Sequence, residues 1–334
     1  MPIEDQELVS QVSFLRSIRQ ELATVLVGQS ELVDALLIAL LTGGHILLEG
    51  LPGLAKTLAV KTLAGTLGGS FARIQFTPDV LPSDITGNMV YRPEKQDFDL
   101  RIGPVAANIV LADEINRAPA KTQSALLEVM QEHQVSIGGR SIAMPQPYLV
   151  VATQNPIEQT GTYPLPEAQK DRFLLRLLLK YPNREEEAMI LERMARSKPV
   201  LEVQKTVSPE QILAARALLD KVHLADSLRQ YILDLVIATR PGEQKELSQE
   251  QDSLVFKAAE LIEIGASPRA SIALSMAGKA KALLTGRNYV IPEDIQVVAP
   301  SVLAHRLILS FEAEAKGISS VDVVSSLLKA VKTP

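Results

Sequence analysis

The stretch that most limits how this chain can fold is His45 to Thr57, HILLEGLPGLAKT. His45-Ile46-Leu47-Leu48-Glu49 is a short apolar run of the length of a buried strand. Gly50, Pro52 and Gly53 break it, and Lys56-Thr57 open a helix-compatible run from Leu58 to Leu67. Strand, glycine-bearing loop and Lys-Thr at a helix start are the physical recipe of a polyphosphate cradle. Loop N–H groups and the helix N-terminus offer partial positive charge to an anion. Lys56 is placed to reach the β- and γ-phosphates of a nucleotide, and the Thr57 hydroxyl to ligate Mg2+. The candidate nucleotide-binding residues here are therefore Gly50, Pro52, Gly53, Leu54, Ala55, Lys56, Thr57 and Leu58. One position departs from the generic pattern G-x-x-x-x-G-K-[ST], because its sixth residue is Ala55. A β-carbon there restricts the backbone but removes no N–H donor. The bland alternative is a strand-to-helix turn that merely resembles a phosphate loop.

Composition narrows the class. The 334 residues suffice for two domains, and 46% hydrophobic with 22% charged residues describes an ordinary globular chain rather than a disordered one. A net charge of −5 supplies no global basic field for nucleic acid or an anionic membrane. With no cysteine, disulfides, thiolate catalysis and Cys-ligated zinc are excluded, and the composition fits a reducing compartment. The acidic, amphipathic start MPIEDQELVSQV does not read as a signal peptide. The longest apolar run, Ala35 to Leu41, is far too short to span a bilayer. A soluble, cytoplasmic protein without a transmembrane segment is expected.

Residues 5 to 42 read as two helices, from Leu8, Val12 and Leu15 and then Leu32, Leu36 and Ala39, with Ser30 placed to cap the second. Five apolar runs then alternate with helical or irregular stretches: Ile46–Leu48, Ala72–Phe76, Asn108–Ala112, Tyr148–Thr153 and Phe173–Leu179. That alternation predicts a parallel α/β sheet with helices on both faces. Asn88 to Ile102 and Val135 to Ile142 interrupt it with hairpin chemistry, the second around Gly138-Gly139. After Tyr181-Pro182-Asn183 the chain reads as almost entirely helical. Helix starts fall at Ser208-Pro209-Glu210-Gln211, Ser267-Pro268-Arg269 and Ile291-Pro292-Glu293-Asp294, and a last helix runs from Val321 to Val331. Arg240 to Ser253 is polar and reads as a loop. The expected division is an α/β nucleotide-binding core over residues 1–183 and an all-α domain over 184–334.

Three further motifs carry chemistry. Asn108 to Glu114 is a hydrophobic strand ending in two adjacent carboxylates, and ligands of open α/β sheets bind at the carboxyl ends of strands. Asp113 is suited to hold Mg2+ through water, and Glu114 to polarise a water for attack on a γ-phosphate. Two solvated acids at a strand end are the plain alternative. Val150 to Pro156 is another strand ending in polar residues. Asn155 there could orient the attacking water or sense the γ-phosphate, whereas an Asn-Pro after a strand is by itself more often a turn. Finally, Arg172 precedes the last strand of the sheet, Arg269 lies in the first turn of a later helix, and Arg117 follows the paired acids. Alone, any of these arginines is an ordinary surface ion-pair partner. Phosphoryl transfer, however, gains most from cations set against the developing charge.

GLPGLAKT, DEINRAP, ATQNP, GTYPLPEAQKDRF and GASPRA occur in that order and together resemble the MoxR family of AAA+ ATPases, over residues 10 to 330. That family itself carries G-x-P-G-x-A-K-T, so Ala55 departs from the generic loop and not from the family. The resemblance implies a P-loop NTPase core with a C-terminal helical lid, using ATP and Mg2+. Lys56 and Thr57 take the Walker A role, and Asp113 with Glu114 the Walker B role. Asn155 matches sensor 1, Arg172 an arginine finger acting on the neighbouring subunit's nucleotide, and Arg269 sensor 2 in the lid. Val27-Gly28-Gln29 matches the segment on the adenine side, which adds Gly28 and Gln29 to the cofactor-binding candidates. The two hairpins match the inserts of the helix-2-insert clade. A trans-acting arginine implies a homo-oligomeric ring, in this family usually a hexamer. The implied activity is chaperone-like remodelling or maturation of client proteins, cofactor or metal insertion included, often beside partners carrying von Willebrand factor A domains. No role follows for Arg117 or for the stretch from Arg240 to Ser253.

Two motors with the same kind of core are the alternatives: a metal-chelatase subunit, and a nucleic-acid motor. The second lacks support, because Arg140 stands without a basic run on its hairpin and aromatics amount to only 4%, too few for base stacking. The four histidines are too scattered along the sequence to suggest a metal site.

Overall fold

The computed structural model of the chain describes residues 5–51, 53–156, 161–196, 203–243 and 253–334. The chain begins with helices α1 (Asp5–Val25) and α2 (Ser30–Thr42), then strand β1 (Ile46–Glu49), α3 (Lys56–Leu67), β2 (Phe71–Gln75) and α4 (Pro82–Thr86). Next come β3 (Gly87–Arg92), β4 (Asp97–Ile102), β5 (Ile109–Asp113), α5 (Ala120–Glu132), β6 (Gln134–Ile137) and β7 (Arg140–Ala143). Then follow β8 (Leu149–Gln154), α6 (Glu167–Lys170), β9 (Leu175–Leu178), α7 (Arg184–Met194) and α8 (Pro209–Leu218). The chain closes with α9 (Asp226–Ala238), α10 (Ser253–Ala259), β10 (Ile262–Ile264), α11 (Pro268–Leu284), α12 (Pro292–Leu303), β11 (Ile308–Leu309), α13 (Phe311–Ala315) and α14 (Ser320–Ala330). Contacts divide it into two compact units, residues 14–173 with 177–214, and residues 1–13 with 174–176 and 215–334.

The first unit is built on a five-stranded sheet of order β2-β5-β8-β1-β9. Strand β5 pairs in parallel with β2 on one side and β8 on the other, and β8 with β1. Strands β1 and β5 are buried along their whole length, and β8 up to its last residue, as a parallel sheet covered on both faces requires. One face carries a core in which Leu47, Ile74, Val110 and Val150 meet Leu126, Leu127 and Met130 of α5. The two predicted hairpins form as β3–β4 and β6–β7, each antiparallel. This is the parallel α/β sheet expected from the alternation of apolar runs, as the P-loop core implied by the resemblance requires.

Local chemistry differs from expectation at Ser30. Helix α2 starts one residue earlier than a Ser30 cap requires, because Val33 N already donates to Gln29 O at 3.0 Å. Gln29 is thus the N-cap residue and makes no side-chain cap bond. At the other end, Gly43 takes the left-handed conformation (φ 73°) and its N–H bonds Ala39 O, the usual glycine stop. Within the break at Tyr181-Pro182-Asn183, Asn183 caps α7. Its side chain accepts from Glu185 N and Glu186 N, and the Glu186 carboxylate accepts from Asn183 N. By its contacts α7 groups with the sheet-bearing unit.

The second unit is helical around α9, α11, α12 and α14, and holds one small antiparallel pair, β10–β11. This pair is not legible in the sequence, because three residues are too few to show a strand's period. Ser267 caps α11 through its side chain, accepting from Arg269 N. At the start of α12, Arg287 grips buried Asp294 with two bonds of 2.7 and 2.8 Å. Of the polar stretch Arg240 to Ser253, residues 244–252 lie outside the described residues. Among those described, no helix is long and apolar enough to cross a membrane.

Candidate functional site

The carboxyl ends of β1, β5 and β8 converge with the start of α3 on one cavity of about 530 Å3. Why the loop before α3 forms is legible atom by atom. Gly50 packs so closely that an added Cβ would meet Leu179 Cβ at 3.0 Å. Gly53 (φ 86°) and Ala55 (φ 56°) both adopt left-handed backbone, and Ala55 is the N-cap of α3, with Ala59 N closing the first turn onto its carbonyl at 2.9 Å. A non-glycine residue in that conformation costs roughly 1 kcal/mol. Lys56 Nζ donates to Gly50 O at 2.7 Å, folding the side chain back over its own loop. Burial lowers its pKa, while the carboxylates of Asp113 and Glu114 pull it back up.

The paired acids come from the end of β5. Asp113 is buried and Glu114 has left-handed backbone (φ 57°), leading into a 3-10 turn over Ile115–Arg117. Thr153 of the neighbouring strand β8, only 1% exposed, serves both acids. Its hydroxyl donates to Asp113 Oδ1 at 2.6 Å and accepts from Glu114 N at 2.8 Å. The other side of the pair is held from β2. Arg73 donates to Asp113 Oδ2 through Nε (3.1 Å) and Nη2 (2.6 Å). Glu114 Oε2 accepts from Gln75 Nε2 at 2.9 Å and from Arg117 Nη1 at 3.0 Å. Arg117, left without a role by the sequence, thus pairs with Glu114.

The cavity is also lined by Val25, Leu26 and Val27 with Ile190 and Met194 of α7, an apolar set. Arg193 stands beside them and donates to the carbonyls of Ala23 and Thr24 at 3.2 and 3.0 Å. A cationic loop and oxygen donors together with an apolar set of side chains suit a molecule that carries both a polyanionic and a flat, apolar part.

Of the residues singled out from sequence, Gln29, Gly53, Leu54, Ala55, Lys56, Thr57, Leu58, Asp113, Glu114 and Asn155 line this one cavity. Gly50 shapes the loop behind it. Gly28 (φ 70°) is backed by Glu186, whose Cδ would stand 2.2 Å from an added Cβ. Pro52 lies outside the described residues. Arg172 is exposed, does not line the cavity and forms no ion pair with a described residue. Arg269 belongs to the other compact unit, where it is exposed in the first turn of α11. Sequence reasoning missed Arg73, Gln75 and Thr153. The available signal was strand alternation: Ala72 and Ile74 turn one way, so Arg73 and Gln75 share the opposite face of a strand beside β5. The histidines also held a surprise. His45 and His133 have ring centroids 5.9 Å apart, although 88 positions separate them. The His45 nitrogens nevertheless serve the backbone, Nδ1 accepting from Val150 N and Nε2 bonding Met130 O. No group of three or more His, Asp or Glu residues suited to hold a metal occurs among the described residues.

Comparison with known proteins decides the family. Residues 45–175 match the model of the ATPase family associated with various cellular activities (AAA), and residues 256–327 match that of the AAA lid domain. The chain is 47% identical over 327 residues to Chaperone MoxR1 of Mycobacterium tuberculosis, an alignment covering 98% of this chain and 84% of that protein. The chain belongs to the MoxR family of AAA+ ATPases. A second relative of this MoxR-family chain is the uncharacterized protein YeaC of Bacillus subtilis, 44% identical over 93% of this chain and 92% of that one. A crystal structure of a Cytophaga hutchinsonii protein superposes with a TM-score of 0.89 at 47% identity, covering 98% of this chain and 97% of that one. The AAA match spans the phosphate loop, both acids, Asn155 and Arg172, and the lid match includes Arg269.

Proposed function

We propose that this MoxR-family protein hydrolyses ATP in the cavity at the end of β1, and uses the cycle to remodel or mature client proteins. The observation that carries the reading is the convergence of Lys56, Thr57, Asp113, Glu114 and Asn155 on one cavity that also has an apolar wall. In this reading the loop N–H groups and Lys56 bind the triphosphate, and the ammonium leaves Gly50 O for the β- and γ-phosphates. Val25 to Val27 and α7 receive the adenine. Glu114 accepts a proton from the attacking water, with Asn155 orienting that water. The left-handed backbone of Glu114 and its bonds from Gln75 and Arg117 fix where the carboxylate stands.

A hard divalent cation fits the oxygen donors of Thr57 and Asp113, with nucleotide phosphates completing its shell. Mg2+ bound there would neutralise charge developing on the phosphates. The proposed division of labour is an AAA+ core over residues 1–183 and a lid over 184–334, with Arg269 the lid's cation. The helical character of the later residues supports it, and the lid-domain match supports it over residues 256–327, while residues 184–214 group by their contacts with the sheet-bearing unit. Arg172, exposed and without an ion pair to a described residue, is available to a neighbouring copy. That supports a homo-oligomeric ring, proposed as a hexamer in the cytoplasm. Client remodelling is carried over from the relative named as a chaperone. Cofactor or metal insertion and partners with von Willebrand factor A domains are the finer proposals, and affinity capture with a hydrolysis-deficient variant tests them.

The test of the chemistry is Glu114→Gln. Loss of a general base costs typically 10²–10⁴-fold, so steady-state hydrolysis should fall at least about 100-fold while ATP binding persists. Turnover at the wild-type rate would remove Glu114 from this role.

A further inference from the structure

Arg73 stands in the middle of β2, opposite Leu111 in the pairing with β5, and its side chain reaches along the strand to Asp113. The contact uses two donors on one oxygen, Nε at 3.1 Å and Nη2 at 2.6 Å, both to Oδ2. The other oxygen, Oδ1, already accepts from the Thr153 hydroxyl at 2.6 Å. Both oxygens of this carboxylate are therefore engaged by the chain's own donors, and one of those donors is a cation. The same guanidinium donates from Nη2 to Gln75 Oε1 at 2.9 Å, which leaves the amide Nε2 facing Glu114. Nothing in nucleotide binding by Lys56 and the loop calls for Arg73, yet it lines the same cavity.

We infer that Arg73 is a positioning residue that acts as a built-in counter-ion for Asp113, and that a divalent cation arriving with nucleotide, or the water through which Asp113 would hold it, competes with Arg73 for Oδ2. The inference rests on the nucleotide reading of the cavity. Its chemistry is competition between two cations for one oxygen. The fixed guanidinium holds the Asp113 carboxylate aimed while the site is empty, and so lowers the apparent affinity for the metal. Because the pair is not sealed from water (the Arg73 side chain is 49% exposed and that of Asp113 12%), the competition is modest.

The experiment measures the dissociation constant of a fluorescent ADP analogue twice for each protein, once with Mg2+ and once with EDTA, and takes the ratio. Any direct contact of Arg73 with phosphate weakens both constants and cancels, whereas release of Asp113 acts on the Mg2+ arm alone. In Arg73→Gln the Mg2+-dependent tightening should be about two- to fivefold larger than in the wild type, the size of a half-exposed ion pair. Arg73→Lys, which keeps the charge but loses the two-donor grip, should fall between them, and it serves as the decisive variant if Arg73→Gln does not fold. A ratio unchanged or reduced in the folded variants overturns the inference and leaves the nucleotide site intact. Failure of the wild type to bind the analogue at all would overturn the nucleotide reading, and this inference with it.

Discussion

Thr153→Val tests whether one buried hydroxyl organises both acids. The change keeps the shape of the side chain and removes its only polar atom. Asp113 Oδ1 then loses a donor at 2.6 Å and the Glu114 N–H loses its acceptor at 2.8 Å, in a place where Thr153 is 1% exposed. A hydrogen bond to a charged group contributes about 1.5–3 kcal/mol, and a buried N–H left unsatisfied costs about 1–3 kcal/mol. Water entering beside the partly accessible acids recovers part of this, leaving a destabilisation of about 3 kcal/mol. For a unit of this size that is a fall in melting temperature of roughly 6–12 °C. The left-handed turn at Glu114 loses its anchor, so hydrolysis should drop about 10- to 100-fold. Thr153→Ser keeps the hydroxyl and gives up one methyl, so it should stay within about 1 kcal/mol of the wild type. Thermal melts and steady-state hydrolysis on the three proteins read both effects. A Thr153→Val protein as stable and as active as the wild type would refute the bridging role, and so would a Thr153→Ser protein as damaged as the valine variant.

Three further predictions follow from individual side chains. Ala55→Gly should raise stability by up to about 0.6 kcal/mol in a thermal melt, because relief of the left-handed alanine slightly exceeds the added freedom of the unfolded glycine. Burial lowers the Lys56 pKa in the empty site, so the penalty for its charge is fully present below the folded pKa and relieved as pH rises through it. Nucleotide binding, which needs the ammonium, should accordingly weaken on the alkaline side before pH reaches the ordinary lysine value of 10.5, with proton uptake on binding measurable by calorimetry in two buffers, and Lys56→Arg should flatten that dependence. If Arg172 acts in trans, Arg172→Ala and Glu114→Gln proteins should each be nearly inactive alone. Their equimolar mixture should recover about a quarter of the sites, since half the sites keep Glu114 and half of those face an intact arginine. No recovery in mixed rings would place Arg172 in its own subunit's site.

The parts of this molecule that were legible in its sequence are those whose cause is local. Five apolar runs gave the sheet, Gly138-Gly139 the second hairpin, and the Ser267-Pro268-Arg269 cap the start of α11. The phosphate loop and the paired acids could be read because strand, break and polar residue follow one another within a few positions. The rest depends on which strands become neighbours. Arg73 and Asp113 are 40 positions apart and meet only because β2 lies beside β5 in the sheet order. Thr153 looked like part of a strand end, and its bridge to both acids needs β8 on the other side of β5. The apolar wall is likewise assembled from α7 and the residues before α2. Ser30 shows the converse failure, a good capping residue overtaken by a helix that begins one position sooner.

The most direct measurement is the structure of Glu114→Gln with ATP and Mg2+ bound. The account predicts a triphosphate lying over Gly50 to Leu58, Lys56 Nζ moved from Gly50 O onto the β- and γ-phosphates, and the adenine against Val25 to Val27. ATP bound elsewhere, or Lys56 still on Gly50 O beside an empty cavity, would contradict it.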